Sequence, residues 1–248
     1  MSRIQFMNTY IDNLSMQEVV DKVDNMVAND EKGFIVTPNV DHIVKMEKDL
    51  YMRDIFSKSA ISTVDGKPLM WIAKWYGTPF KEKVSGSDLG IRLCRLCHEK
   101  GYRLFIFGGK EGVAEKAKEN LERDYPGINV CGVYSPPFGF EKNPDEVKKS
   151  VEYINQCKPD ILFACVGAPK QEKFVYENQD ELDYKVAACI GATVDFIAGN
   201  VKRAPEWISR IGFEWFYRFC KEPKRLFKRY FVDDMKIFKA AIKYKKKK

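Results

Sequence analysis

Nine residues of ligand-binding type occupy one kind of position in this chain. Thr37, Asn39, Asp65, Gly108, Gly109, Gly167, Gln171, Thr193 and Asp195 all fall at, or just after, the end of a short apolar run that reads as a β-strand. In a parallel sheet those ends lie on one rim, so five separate strands would deliver these groups to a single place. The chemistry such a rim offers is recognition of a polar or anionic small molecule. In F-G-G-K-E-G (107–112), glycines after a strand leave backbone N–H groups open to a phosphate at a helix N-terminus. The spacing G-G-x-x-G departs from the dinucleotide pattern G-x-G-x-x-G, so the turn argues only weakly for NAD. Taken singly, each residue is also ordinary turn chemistry, and the glycines equally suit a tight turn with close helix-strand packing.

The elements that must position these groups alternate in type. Apolar, β-branched runs at 33–37, 60–64, 102–107, 128–134, 159–166 and 186–190 read as strands. Between them lie helical spacings. Residues 16–28 follow Ser15 with Glu18 three places on, the spacing of a capping box. K-P-L-M-W-I-A-K-W-Y (67–76) is closed by Gly77, and I-R-L-C-R-L-C-H-E-K (91–100) is capped by Ser87 or Asp88 and stopped by Gly101. Helices are also expected at 38–47, 113–121, 143–157 and 173–179, whereas G-A-T-V-D-F-I-A-G-N (191–200) reads as a Gly-rich loop. The alternation predicts an α/β fold, a Rossmann-like, doubly wound and mostly parallel sheet.

A chain of 248 residues is long enough to bury roughly 70% of its unfolded surface without covalent staples. The seven cysteines form an odd set, and those in F-A-C-V and A-A-C-I sit in apolar runs as small hydrophobes, which points to a reducing cytosol. C-R-L-C-H (94–98) matches a haem-attachment pattern, but it lies in an amphipathic helix pattern that would bury both thiols, and no second Cys/His pair completes a zinc site. His42, the other histidine, is expected to be a satisfied core or surface residue. With no D-x-D pair at a strand end, a metal-independent site is expected. The start has no signal-peptide core, and no uncharged apolar stretch of about 18 residues occurs, so no membrane span is expected.

Charge is unevenly placed. From Lys202 onward there are 16 Lys and Arg against 5 Asp and Glu, a net +11, which leaves −4 on the preceding part of a +7 chain. Within that tail Trp215, Phe216, Phe219, Phe227, Tyr230 and Phe231 are interleaved with Arg218, Arg225 and Arg229, which suits an amphipathic element at a membrane interface. Nucleic-acid binding uses similar residues but is not the preferred reading. The plainest alternative is a helix pair packed on the core with a solvated lysine face.

Read together, T-P-N-V-D, V-D-G-K-P, V-S-G-S-D-L, F-G-G-K-E-G, G-A-P-K-Q-E, G-A-T-V-D-F-I-A-G and R-A-P-x-W-x-x-x-x-G-F-E-W-x-Y-R-x-x-x-E-P-x-R-L-x-x-R-Y resemble the WecG/TagA/CpsF glycosyltransferases, family 26 of that enzyme class, in order from about residue 33 to 231. The resemblance implies an inverting transferase without metal or other cofactor. It would move a sugar from a UDP-sugar, typically UDP-N-acetylmannosamine, to undecaprenyl-diphosphate-linked N-acetylglucosamine at the inner face of the cell membrane. The product would prime wall teichoic acid or a related surface polysaccharide. It further implies a Rossmann-like core over 1–201 and a basic helical appendage over 202–248 that docks on an anionic membrane and completes the site. Asp65 matches the family's proposed general base, and Thr37 and Asn39 match its pocket. Gln171 and the loop of Thr193 and Asp195 match the donor side, together with Gly108, Gly109 and Gly167. Arg218, Arg225 and Arg229 fall where the appendage supplies cations. A homo-oligomer is compatible with this reading.

The chemistry agrees. Transfer with inversion needs a carboxylate to take the proton of the acceptor hydroxyl, and Asp65 is such a group at a strand end. Without a metal, the departing diphosphate must be stabilised by cations or helix dipoles. The arginines are spaced 7 and 4 apart, one face of a helix if Pro223 does not break it. Lys67 in V-D-G-K-P departs from the small or apolar residue expected there, which keeps a glucosyl or N-acetylmannosaminuronic acid donor open. A non-catalytic UDP-sugar or anionic-lipid binder and an NAD-dependent oxidoreductase are the readings from other classes.

Overall fold

The computed structural model describes residues 3–201, 214–221 and 223–245, with the side chains of Glu214, Arg218 and Arg225 outside the description. The chain opens with an antiparallel hairpin of β1 (Arg3–Phe6) and β2 (Thr9–Asp12), which turns at Met7 with φ 53°. Sequence reading had no strand here. The Arg3 guanidinium grips Asp12 at 2.9 and 3.0 Å, and Asp12 accepts the buried amide of Ser62 at 2.8 Å, which ties the hairpin to the flank of the main sheet.

Helix α1 (Met16–Ala28) carries the capping box expected of Ser15 and Glu18. Strand β3 (Gly33–Val36) is followed by α2 (Val40–Lys45), the helix expected at 38–47, and, after a second cap at Asp49, by α3 (Leu50–Ser57), which the sequence reading did not foresee. Then come β4 (Ile61–Ser62), α4 (Lys67–Trp75) and α5 (Gly86–Lys100), whose cap is Ser85 in place of Ser87 or Asp88. The alternation continues through β5 (Leu104–Gly108), α6 (Val113–Asp124), β6 (Val130–Tyr134), α7 (Pro144–Cys157), β7 (Ile161–Cys165), α8 (Lys170–Glu177), β8 (Val186–Cys189) and a short α9 (Thr193–Ile197). The tail forms α10 (Glu214–Lys221), α11 (Pro223–Lys228), a π turn over Arg229–Asp233 and α12 (Lys236–Lys245).

The main sheet has six strands in the order β4-β3-β8-β7-β5-β6, every pairing parallel. Alternate strand residues divide between two cores because successive side chains point to opposite faces. Phe34, Val36, Phe105, Phe107, Leu162 and Ala164 meet α2, α3, α4, α7 and α8 on one face. Ile35, Leu104, Ile106, Ile161 and Phe163 meet α1, α5 and α6 on the other. This is the doubly wound arrangement expected, with the parallel character complete. Ile237, Ala240 and Ala241 of α12 join the first core, so the last described helix packs on the α/β body. Among the described residues, no helix is long and apolar enough to cross a membrane.

Candidate functional site

The carboxyl ends of all six strands open on one rim. On one side stand the loops after β3 and β4. Their ladder continues past the strands, with Thr63 N–H on the Val36 carbonyl at 3.0 Å and Asp65 N–H on the Pro38 carbonyl at 2.8 Å. Asp65 is therefore fixed beside the Thr37-Pro38-Asn39 loop, half-buried. Gly66, at φ 104°, makes the turn into α4, a conformation side chains with a Cβ rarely adopt.

The T-P-N loop is held from below by His42. Asn39 caps α2 through its side-chain oxygen on His42 N–H at 3.2 Å, and Asn39 N–H donates to His42 Nδ1 at 3.1 Å. With Nδ1 accepting, the ring also hydrogen-bonds the Thr37 backbone, and burial pulls its pKa down to about 4, so it is neutral. His42 is the satisfied core residue that was expected, and it also positions Thr37 and Asn39.

Helix α5 closes this side. Thr63 Oγ1 donates to the Val84 carbonyl and Val84 N–H to the Val64 carbonyl, which brings Ser85 and Gly86 to the rim. A Cβ on Gly86 would sit 3.2 Å from both Thr37 Oγ1 and Ile190 Cα, and one on Gly90 would sit 2.4 Å from Thr193 Cγ2. The pair one helical turn apart in G-S-D-L-G is therefore what lets α5 pack against the ends of β3 and β8. That spacing was a readable signal not used in the sequence reading.

On the other side the glycines serve close packing. A Cβ on Gly108 would lie 2.4 Å from the Cys165 carbonyl carbon, where β5 and β7 approach, and Gly109 N–H donates to the Cys165 carbonyl at 3.3 Å. Gln171 is buried, and its Oε1 accepts from Gly167 N–H at 3.2 Å and Gly191 N–H at 3.1 Å, joining the loops after β7 and β8. The amides of Gly109, Gly167 and Gly191 are thus engaged within the protein. Cations stand nearby in the exposed Lys110 and in Lys170 at the start of α8, the latter 3.4 Å from Glu141.

Beneath the junction lies a residue that sequence reading passed over. Glu172 is buried, takes the Gln171 Nε2 donor on Oε1 at 2.9 Å, and has no hydrogen-bond partner at Oε2. Burial pushes its pKa up to about 7, with Lys45 opposing and Asp41 reinforcing.

Two predicted donor residues are placed differently. Thr193 is fully buried at the start of α9, and its hydroxyl donates to the Ile190 carbonyl at 2.7 Å, so it is engaged within the packing. Asp195 is half-buried two residues along α9, and this stretch is helical where a loop was expected. In the tail, Arg218 lies on α10 and Arg225 on α11, but their side chains are outside the described residues. The three arginines do not share one helix, since Pro223 begins α11 and Arg229 lies in the π turn. Arg229 reaches α2, with Nη2 3.8 Å from Asp41 and Nε 3.9 Å from Asp234, while Lys45 holds Asp41 at 2.8 Å. Cys94 and Cys97 are buried thiols, as expected, and burial raises both pKa values. No three His, Cys, Asp or Glu side chains gather into a metal-holding group among the described residues.

The arrangement places a carboxylate on a fixed loop and cations on other loops along one rim of strand ends. Residues 4–248 match the model of the glycosyl transferase WecG/TagA/CpsF family. The chain is 30% identical to a protein of Bacillus spizizenii over 83% of its own length and 78% of the relative's. It is 27% identical to one of Bacillus subtilis, covering 88% and 80%, and 26% identical to one of Staphylococcus aureus, covering 100% and 96%. All three relatives are named N-acetylglucosaminyldiphosphoundecaprenol N-acetyl-beta-D-mannosaminyltransferase.

Proposed function

The chain belongs to the WecG/TagA/CpsF family of glycosyltransferases, and on that premise we propose that it moves N-acetylmannosamine from UDP to undecaprenyl-diphosphate-linked N-acetylglucosamine, with inversion and without a metal. The observation that carries the reading is the bond from Asp65 N–H to the Pro38 carbonyl, which holds a carboxylate next to Thr37 and Asn39 on a loop braced by His42. In the transfer, Asp65 takes the proton of the acceptor hydroxyl as its oxygen bonds to the sugar's C1. The bond from C1 to the UDP oxygen breaks on the opposite face, and the electron pair leaves with the diphosphate. Positive groups must meet that charge. Lys170 and Lys110 on the glycine side are candidates, with Arg218, Arg225 and Arg229 expected from the tail.

The names of the relatives support the mannosamine donor and a lipid-linked acceptor, and hence a place on the inner face of the membrane in teichoic acid or related polymer synthesis. Lys67, one residue from the acid-glycine turn, keeps glucose and N-acetylmannosaminuronic acid as alternative donor sugars. The test is turnover of a panel of UDP-sugars with a short-chain polyprenyl-diphosphate-GlcNAc acceptor. Transfer from UDP-ManNAc alone supports the reading, and transfer only from another donor replaces its sugar.

A further inference from the structure

Helices α4 and α12 bury one face each and leave the other uncovered. On α4, Leu69, Ile72 and Ala73 face the core, while Trp71 is 59% and Trp75 49% exposed. On α12, Ile237, Ala240 and Ala241 face the core, while Phe238 is 60% and Ile242 51% exposed. In each helix the exposed pair is spaced i, i+4 and lies on one stripe. The two stripes adjoin. Tyr76 donates to the Ala241 carbonyl at 2.6 Å, and the Lys245 ammonium sits 3.8 Å from the centroid of the Trp75 ring. The sequences K-P-L-M-W-I-A-K-W and K-I-F-K-A-A-I-K-Y-K contain six lysines and no acid; Lys236 and Lys243 pair with Asp233 and Glu47, both at 2.6 Å, and Lys67, Lys74, Lys239 and Lys245 supply the remaining positive charge on these helices.

We infer that Trp71, Trp75, Phe238 and Ile242 form a face that inserts into the interface of an anionic phospholipid bilayer, with Lys67, Lys74, Lys239 and Lys245 lying among the lipid phosphates. Tryptophan rings with lysines beside them are the side chains favoured at that depth, where an apolar face settles about 5 to 10 Å into the headgroup boundary. A protein partner of matching charge would also have to cover four bulky apolar groups spread over two helices, which a fluid bilayer does without shape complementarity. The orientation that follows is specific. Asp65 and Gly66 lead directly into α4, and Trp71 and Trp75 lie 4 and 8 residues beyond its first residue, about 6 and 12 Å along the axis. Insertion of the rings therefore places the Asp65 turn at headgroup level, where a lipid-linked diphosphate sugar would be presented. That last step rests on the proposed function, and the membrane contact does not.

The test is co-sedimentation of the full chain with vesicles of phosphatidylcholine alone or with phosphatidylglycerol added, in the absence of substrate. Two double variants, Trp71→Ala with Trp75→Ala and Phe238→Ser with Ile242→Ser, are compared with the control Leu50→Ala, which removes a side chain 68% exposed elsewhere. The inference expects wild type and control to bind the anionic vesicles, each double variant to bind about tenfold or more weakly, and all to turn over a water-soluble acceptor equally. Unchanged vesicle binding by both double variants would overturn it. So would sedimentation velocity showing that wild type self-associates through this face while the variants are monomeric, since a second copy would then be its occupant. If wild type binds vesicles through these residues but transfers no sugar, the functional reading fails and the membrane face stands.

Discussion

The two sides of the rim reach rigidity by opposite means. On the β3-β4 side, side chains brace the backbone from within: His42 holds Thr37 and Asn39, and the ladder extends to Asp65, which fixes the backbone that carries the carboxylate. On the β5-β7-β8 side, the absence of side chains lets strands close up at Gly108, and one buried amide, Gln171, joins the two loops after β7 and β8. One side holds a carboxylate on a braced loop, and the proposed function gives that carboxylate the reactive role. The other is built to be narrow, and its cations are the side chains of Lys110 and Lys170, since the amides of Gly109, Gly167 and Gly191 are engaged within the protein. A Gly-rich loop at a strand end is therefore evidence of close packing before it is evidence of a phosphate cradle.

Breaking the presenting side should have the largest effect. Asp65→Asn keeps the shape and removes the proton acceptor, so kcat should fall by roughly 10² to 10⁴ while UDP affinity, read by calorimetry, stays nearly constant. Near-normal turnover would remove Asp65 from the chemistry. The narrow side should fail through stability. Gly108→Ala puts a Cβ against the Cys165 backbone at a φ of 122°, and a loss of about 3 kcal/mol is expected in urea unfolding. A loss below about 0.5 kcal/mol would mean that β5 and β7 can separate at no cost.

Glu172 lies under the junction and sharpens the contrast through pH. Its pKa rises from 4.5 to about 7 on folding, so between those values the folded state holds more protons and stability falls as pH rises, levelling off above about 7. His42 acts in the opposite sense: its pKa falls from 6.5 to about 4, and its contribution grows as pH rises through that window. The two oppose each other in the wild type, so the readout is a difference. Glu172→Gln should gain stability relative to wild type between pH 5 and 8, by at most about 3 kcal/mol, and a pH-independent difference would refute the buried carboxyl's role. The smallest expected effect is that of EDTA, since the cationic role is given to lysines and arginines. Activity should persist in excess chelator, and recovery only with Mg²⁺ or Mn²⁺ would reveal a metal site.

What the sequence made legible follows the range of the interactions. The capping box at Ser15 and Glu18, and the strands at 33–37 and 186–190, were readable because their signals are local in the chain. The rim was readable too, because a parallel sheet puts every strand end on one side. The opening hairpin was missed because four-residue strands alternate too briefly to stand out, and its anchor is Asp12 on Ser62, fifty residues away. Gln171 was chosen as a donor group, yet its partners are the amides of Gly167 and Gly191, a role set by two loops meeting in space. Thr193 was chosen for its type, and the helical turn at 193–197 that buries it forms against Gly90 of α5, a contact no local pattern announces.

The strand order has a consequence for the chain during synthesis. Strand β3 can pair with β4 as soon as residue 62 emerges, and the hairpin then covers that flank through Asp12. Its other neighbour, β8, starts at Val186, 150 residues after β3 ends at Val36. At 5 to 20 residues per second a ribosome takes about 8 to 30 s to supply it. For that interval the nascent chain carries G-F-I-V with one strand edge unpaired, the kind of edge that templates pairing with other chains until β8 arrives.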